Sequence, residues 1–199
     1  MQWDAGRARS VASDPVAAAR ESAARTGRPV IGTVSSWAPE PLLIAAGAGA
    51  MRLPAGAGRS DQGTMARAHL PASTCALSRW ILEEGMQGRL DFLRAILFVQ
   101  TCDTQQNLSD VWKVAVPGVP AIDLYVPVNR SSQAAPSYLV SELRRAAAEI
   151  GGITGRAVDD AALAAAVEDR AEVERALADL YAARLAARGL VPAVDFYAA

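Results

Sequence analysis

Close cysteine pairs are missing from this 199-residue chain, which carries only Cys75 and Cys102, each with no partner two to four residues away. Zinc ribbons and ferredoxin-type clusters gather their ligands in such pairs, so neither is encoded here. Histidine is scarcer still: with His69 alone, two thiolates and one imidazole leave a tetrahedral zinc site one ligand short. Lysine occurs once, at Lys113, and with a formal net charge of -1 the scattered arginines form no basic block. That excludes nucleic acid as an expected partner. The longest apolar run, residues 41–51, is too short to cross a bilayer and is rich in Ala and Gly. The first residues lack the apolar stretch and small-residue cleavage site of a secretory signal, so the expectation is a cytoplasmic protein without a membrane partner. In a reducing compartment two cysteines point to free thiols, metal ligands or nucleophiles ahead of a structural disulfide.

What is present suffices for a globular fold, since 51% of the residues are hydrophobic. Residues 15–25 read as a helix with Asp14 as N-cap, Pro15 at the first helical position and Gly27 as the stop. Residues 29–34 are β-branched and evenly apolar, the pattern of a strand buried on both faces of a parallel sheet. A short helix over 41–46 and a strand over 50–53 complete a β-α-β unit. Residues 54–63, rich in Gly and Ala, read as a surface loop or part of a lid. A helix over 75–84, a strand centred on 96–99, a helix over 108–114 and a strand over 121–126 follow. After a polar stretch at 129–133, a helix over 136–150 leads through Gly151, Gly152 and Gly155 to a long helix over 159–188. Leu163, Val167, Val173, Leu177, Leu180 and Leu185 form an apolar stripe on that helix, suited to docking against the sheet or a neighbouring subunit. The expected fold is α/β: a Rossmann-like parallel sheet flanked by helices, followed by a long C-terminal helix. It divides into an N-terminal helical segment (1–28), an α/β domain (29–133) and a helical extension (134–199).

Cys75 opens a helix, where aligned N–H groups favour a thiolate, the form that ligates metal. Cys102 follows an apolar strand and so lies at the sheet's carboxyl edge, where open parallel sheets bind ligands. Both sulfurs are expected at one crevice. Ser35 and Ser36 occupy the loop leaving the first strand, at the same edge. On these grounds alone a buried, inert cysteine remains an open reading, as does a serine that only caps the next helix.

The motifs add to this. Residues 30–34 leading to Ala38-Pro39-Glu40-Pro41-Leu42-Leu43 and Met51-Arg52-Leu53 resemble the opening of 2-hydroxyacyl-CoA dehydratase and benzoyl-CoA reductase subunits. His69-Leu70-Pro71-Ala72-Ser73-Thr74-Cys75 is similar to the segment holding that family's first cluster cysteine, with Ala76 where a proline is frequent. Thr101-Cys102-Asp103, continuing through Leu108 to Trp112, is similar to its second cysteine motif and is the most specific match. Tyr125-Val126-Pro127 and Thr154-Gly155 extend the resemblance along roughly residues 29–188.

The resemblance implies a 4Fe-4S cluster held by three cysteines, two of them Cys75 and Cys102. The third would lie in a second α/β domain that follows the long helix in family members and is absent from these 199 residues. It also implies delivery of a low-potential electron to a thioester carbonyl, with a ketyl radical expelling water from a 2-hydroxyacyl-CoA. Ring reduction of an aryl-CoA is the alternative, and a cluster-free module binding a partner or CoA is another. Ser35 and Ser36 would orient the thioester or its leaving group. A related subunit and an ATP-dependent activator iron-sulfur protein are the implied partners. Asp103 reads as a loop-orienting residue, Trp112 as core packing, His69 as structural, and Arg52 and Arg79 as solvated surface.

Overall fold

The computed structural model describes residues 5–54, 64–187, 189, 192 and 193. Four strands, β1 (Val30–Thr33), β2 (Gly49–Arg52), β3 (Ala95–Gln100) and β4 (Ala121–Tyr125), form one parallel sheet in the order β2-β1-β3-β4. All four residues of β1 are buried, as are the first five of β3, because the two central strands are covered on both faces. The helices are α1 (Ala5–Ser13), α2 (Pro15–Thr26), α3 (Glu40–Ala45), α4 (Ala76–Met86), α5 (Asp103–Ala115), α6 (Ala135–Thr154) and α7 (Asp160–Ala186).

The sheet divides the core in two. On one face, Ile81 and Leu82 of α4 and Leu108 and Trp112 of α5 meet Val30, Ile96 and Phe98, with α2 at the margin. On the other, Leu42 and Leu43 of α3 and Ala146 and Ile150 of α6 meet Ile31, Leu97 and Val99. Alternate residues of one strand thus serve opposite layers.

Local chemistry sets the element ends. The Asp14 carboxylate accepts from Ala17 N at the head of α2, and Gly27 closes that helix with φ 67°. Asp159 caps α7 in the same way through Ala162 N. α6 runs on through Gly151 and Gly152, past the expected end at 150, and stops at Gly155, whose φ of 76° only glycine adopts readily. Gly151 is needed because a Cβ there would meet Arg156 O at 3.0 Å, where the chain doubles back. α5 starts at Asp103, five residues before the expected 108, since Cys102 serves as N-cap and the polar first turn carries no apolar period. The helix α1 and a short 3-10 turn at Ala66–Ala68 were not legible in the pattern. The loop expected over 54–63 lies, apart from Pro54, outside the described residues.

Two further features matter below. β4 is an edge strand with two of its outward backbone groups occupied: Glu142 accepts from Tyr125 N at 3.2 Å, and Arg145 donates to Asp123 O at 2.5 Å. And α7 docks near its start, where Leu163 packs on the α3 layer, Ala166 is buried and Arg170 pairs with Glu40 at 3.3 Å. Farther along, Val173 and Leu185 are exposed, so the expected apolar stripe is covered over part of its length.

Candidate functional site at the carboxyl edge of the sheet

The loops leaving β1 and β3 turn to opposite faces, β1 toward α3 and β3 toward α5. Neighbouring parallel strands whose connections diverge open a crevice at their carboxyl ends, the place where such sheets bind ligands. The ladder persists up to it, with Val34 N donating to Leu97 O.

Cys75 and Cys102 are the N-caps of α4 and α5, and both are free and exposed. The two helices pack together on one face of the sheet. Their contact is close at the far end: a Cβ on Gly85 would fall 2.4 Å from the Trp112 ring. Gly85 stands ten residues after Cys75, and Trp112 ten after Cys102. At about 1.5 Å of rise per residue, each cysteine precedes that contact by about 15 Å of helix. Trp112 is locked there, fully buried, with its Nε1 donating to Val119 O at 2.8 Å and its ring edge-on to Phe98 at 6.1 Å. It is core packing, as expected.

The Cys75 thiol is held below its ordinary pKa. Partial burial works against ionisation, but the Ser78 hydroxyl, 3.2 Å from Sγ, the Ser78 and Leu77 N–H groups and the Arg79 guanidinium together outweigh it. Arg79 is itself fixed by donating to Ala72 O and Thr74 O, so it braces the loop that presents the cysteine. Ser78 escaped the sequence reading; the Cys-x-x-Ser spacing, which brings an N-cap side chain over the third helical residue, was its available signal.

Ser35 is buried, and its Oγ accepts from Trp37 N at 3.1 Å, an ST-turn that shapes the loop and leaves its own O–H free to donate. Ser36 is exposed beside it. Both therefore stand on the α3 wall of the crevice, whereas the cysteines stand on the α4/α5 wall. His69 and Asp103 are exposed, and Arg52 is exposed at the end of β2.

Beneath Cys102 a polar knot ties β3, β4 and α5. The Asp123 carboxylate accepts from Gln100 Nε2 and Ser109 Oγ, both at 2.5 Å, and from Lys113 Nζ at 2.7 Å. Burial pushes the Asp123 pKa up, but the bonds from Lys113, Ser109 and Gln100 prevail and keep it low. The chain's single lysine is thus committed to structure, and its pKa is raised by the same partner. Gln100 Oε1 is buried with no donor.

Two exposed thiols at helix heads suit a soft, thiolate-bound iron centre in kind. They fall short in number: among the described residues no group of three or more His, Cys, Asp or Glu gathers to hold a metal ion. Among the same residues no helix is long and apolar enough to cross a membrane.

Comparison with known proteins bears on the same stretch. The chain is 32% identical over 157 residues to the beta subunit of the lactoyl-CoA dehydratase of Anaerotignum propionicum, covering 78% of this chain and 40% of that one. It is 28% identical over 145 residues to the (R)-phenyllactyl-CoA dehydratase beta subunit of Clostridium sporogenes, covering 72% of this chain and 38% of the relative. It is 28% identical over 184 residues to a benzoyl-CoA reductase subunit of Thauera aromatica, covering 92% of this chain and 47% of the relative. The chain therefore spans less than half the length of these curated relatives. The family model for the 2-hydroxyglutaryl-CoA dehydratase D-component matches residues 35–199, from the first crevice serine onward, and the chain belongs to that family.

Proposed function

We propose that this chain forms the first α/β unit of a 2-hydroxyacyl-CoA dehydratase-like subunit, with Cys75 and Cys102 as two thiolate ligands of a 4Fe-4S cluster. The observation that carries the reading is that two exposed thiols, neither in a disulfide, head two helices on one face of the sheet, Cys102 just past the end of β3 at the switch-point crevice. When bound, the cluster would supply a low-potential electron to a thioester. The protein's own residues would do the rest. Ser78 and Arg79 lower the pKa of the Cys75 thiol and so favour the thiolate, the Gly85–Trp112 contact fixes the two helices that carry the cysteines, and Ser35 and Ser36 present hydroxyls to an oxygen in the crevice. Residues 29–133 are the proposed cluster-binding domain and 134–199 a helical extension toward the domain that brings the remaining ligands. A related subunit, an ATP-dependent activator iron-sulfur protein and a cytoplasmic location complete the proposal. Dehydration is preferred over aryl-CoA ring reduction because the matching family model is that of a dehydratase component.

The test is anaerobic reconstitution of the chain with its partner subunit, followed by iron and sulfide analysis and an assay of 2-hydroxyacyl-CoA dehydration. Stoichiometric iron that Cys75→Ser and Cys102→Ser each abolish is the expected result. The shortage of ligands among the described residues favours one other reading, a cluster-free module that binds a partner or CoA. Iron-free protein whose partner binding survives both substitutions would decide for that module.

A further inference from the structure

The α3 wall of the crevice carries a pair of residues that neither the turn nor the core requires. Trp37, in the loop after β1, is 56% exposed, and the Arg130 guanidinium lies over its ring, 5.3 Å from the centroid. Arg130 belongs to the loop between β4 and α6, so the contact passes over the carboxyl end of β3 and joins two loops on the α3/α6 face. Other arginines of this chain, Arg89, Arg145 and Arg170, are engaged by carboxylates. Arg130 has no ion pair among the described residues. Residues 124–141 contain no Asp or Glu, so no acid competes nearby in sequence, and Glu40, after the Trp37 loop, is already paired with Arg170. At the adjoining head of α6 the first turn carries no acidic residue. Val128, Tyr125 and Tyr138, on the same loop and helix, are exposed.

We infer that Trp37 and Arg130 form a subsite for the phosphorylated adenine end of a coenzyme A thioester, an inference that rests on the dehydratase-like reading. A guanidinium stacked on an indole keeps its five N–H donors in its own plane, free to grip a phosphate in fork geometry. The open part of the indole offers a flat apolar surface to a base. The exposed Val128 and Tyr125 give the pantetheine arm an apolar border on its way to the crevice, where Ser35 and Ser36 stand. Base and phosphate are thus held on the α3/α6 wall, facing the thiols across the switch point.

The test is titration of the chain with CoA, ADP and pantetheine, followed by calorimetry and tryptophan fluorescence. Arg130→Gln and Trp37→Leu are each expected to weaken CoA binding by about tenfold, the scale of a lost charge-assisted bond. Pantetheine, with neither base nor phosphate, should bind wild type and variants alike. Both residues are exposed, and unchanged thermal unfolding of the variants confirms that the fold is intact. Wild-type CoA affinity in both variants, absence of CoA binding to the wild-type chain, or ADP binding more tightly than CoA would each overturn the inference. The two proposals fail separately. Iron incorporation and turnover with an unchanged thioester KM in Arg130→Gln sink the subsite alone, whereas CoA binding that depends on Arg130 in a chain that never takes up iron sinks only the cluster.

Discussion

α5 and α7 teach opposite lessons about apolar residues on a helix. α5 has 13 residues and buries Leu108, Ser109 and Trp112 completely, because the sheet lies under it and α4 beside it. α7 is about twice as long, with 27 residues, yet Ala166 is its buried residue, and Leu185 is 83% exposed. Leu and Val on α7 outnumber those on α5, so burial follows from what stands opposite a helix, not from how many apolar side chains it bears. The cysteine at the head of α5 is held by a helix anchored along its length. The buried contact of α7 lies near its start.

Four substitutions sharpen or break that contrast. Trp112→Ala should cost about 3–5 kcal/mol, since it empties the largest fully buried site and strands Val119 O, and denaturant unfolding would measure it. A cost under about 1 kcal/mol would mean that α5 is not anchored as described. Gly85→Ala comes next. Helix propensity alone predicts a gain of about 1 kcal/mol, but the new methyl must enter the Trp112 ring, and overpacking should turn the gain into a loss of about 1–3 kcal/mol. Asp123→Asn should cost on the order of 1 kcal/mol at neutral pH, discounted because Lys113 is partly exposed. The sign of its pH dependence is fixed: the folded carboxyl has the lower pKa, so its stabilisation is present above about pH 4 and is lost as pH falls through the folded value. The gap between Asp123→Asn and wild type should close in acid, as unfolding free energies measured across that range would show. Leu185→Ala is the smallest, within about 0.5 kcal/mol; a loss several times larger would reveal a cover for α7 that the chain alone does not display.

Much of the fold was readable because short-range physics governs it. The β-branched residues of β1 and the Asp14-Pro15 helix start need only their own neighbours to act, and the structure has both. The beginning of α5 was not readable, since Asp103 to Asn107 is a solvated polar turn that looks like loop until an N-cap is known to precede it. The stripe on α7 told less for the converse reason: periodicity reports an apolar face and is silent about its partner. The edge position of Cys75 and Cys102 followed from helix and strand ends. Ser78 beside Cys75, the Asp123–Lys113 knot and the Trp37–Arg130 stack did not, because the last two pair residues distant in sequence that only the finished sheet order brings together.

The clasp of Glu142 and Arg145 on β4 has a consequence for growth of the sheet. A guest strand seeking to extend the ladder on that side would first have to displace a carboxylate from Tyr125 N and a guanidinium from Asp123 O, two charge-assisted bonds held by a helix fixed in the core. Strand invasion, the usual hazard of a bare margin, is therefore opposed at β4 by two bonds that a guest strand must first break.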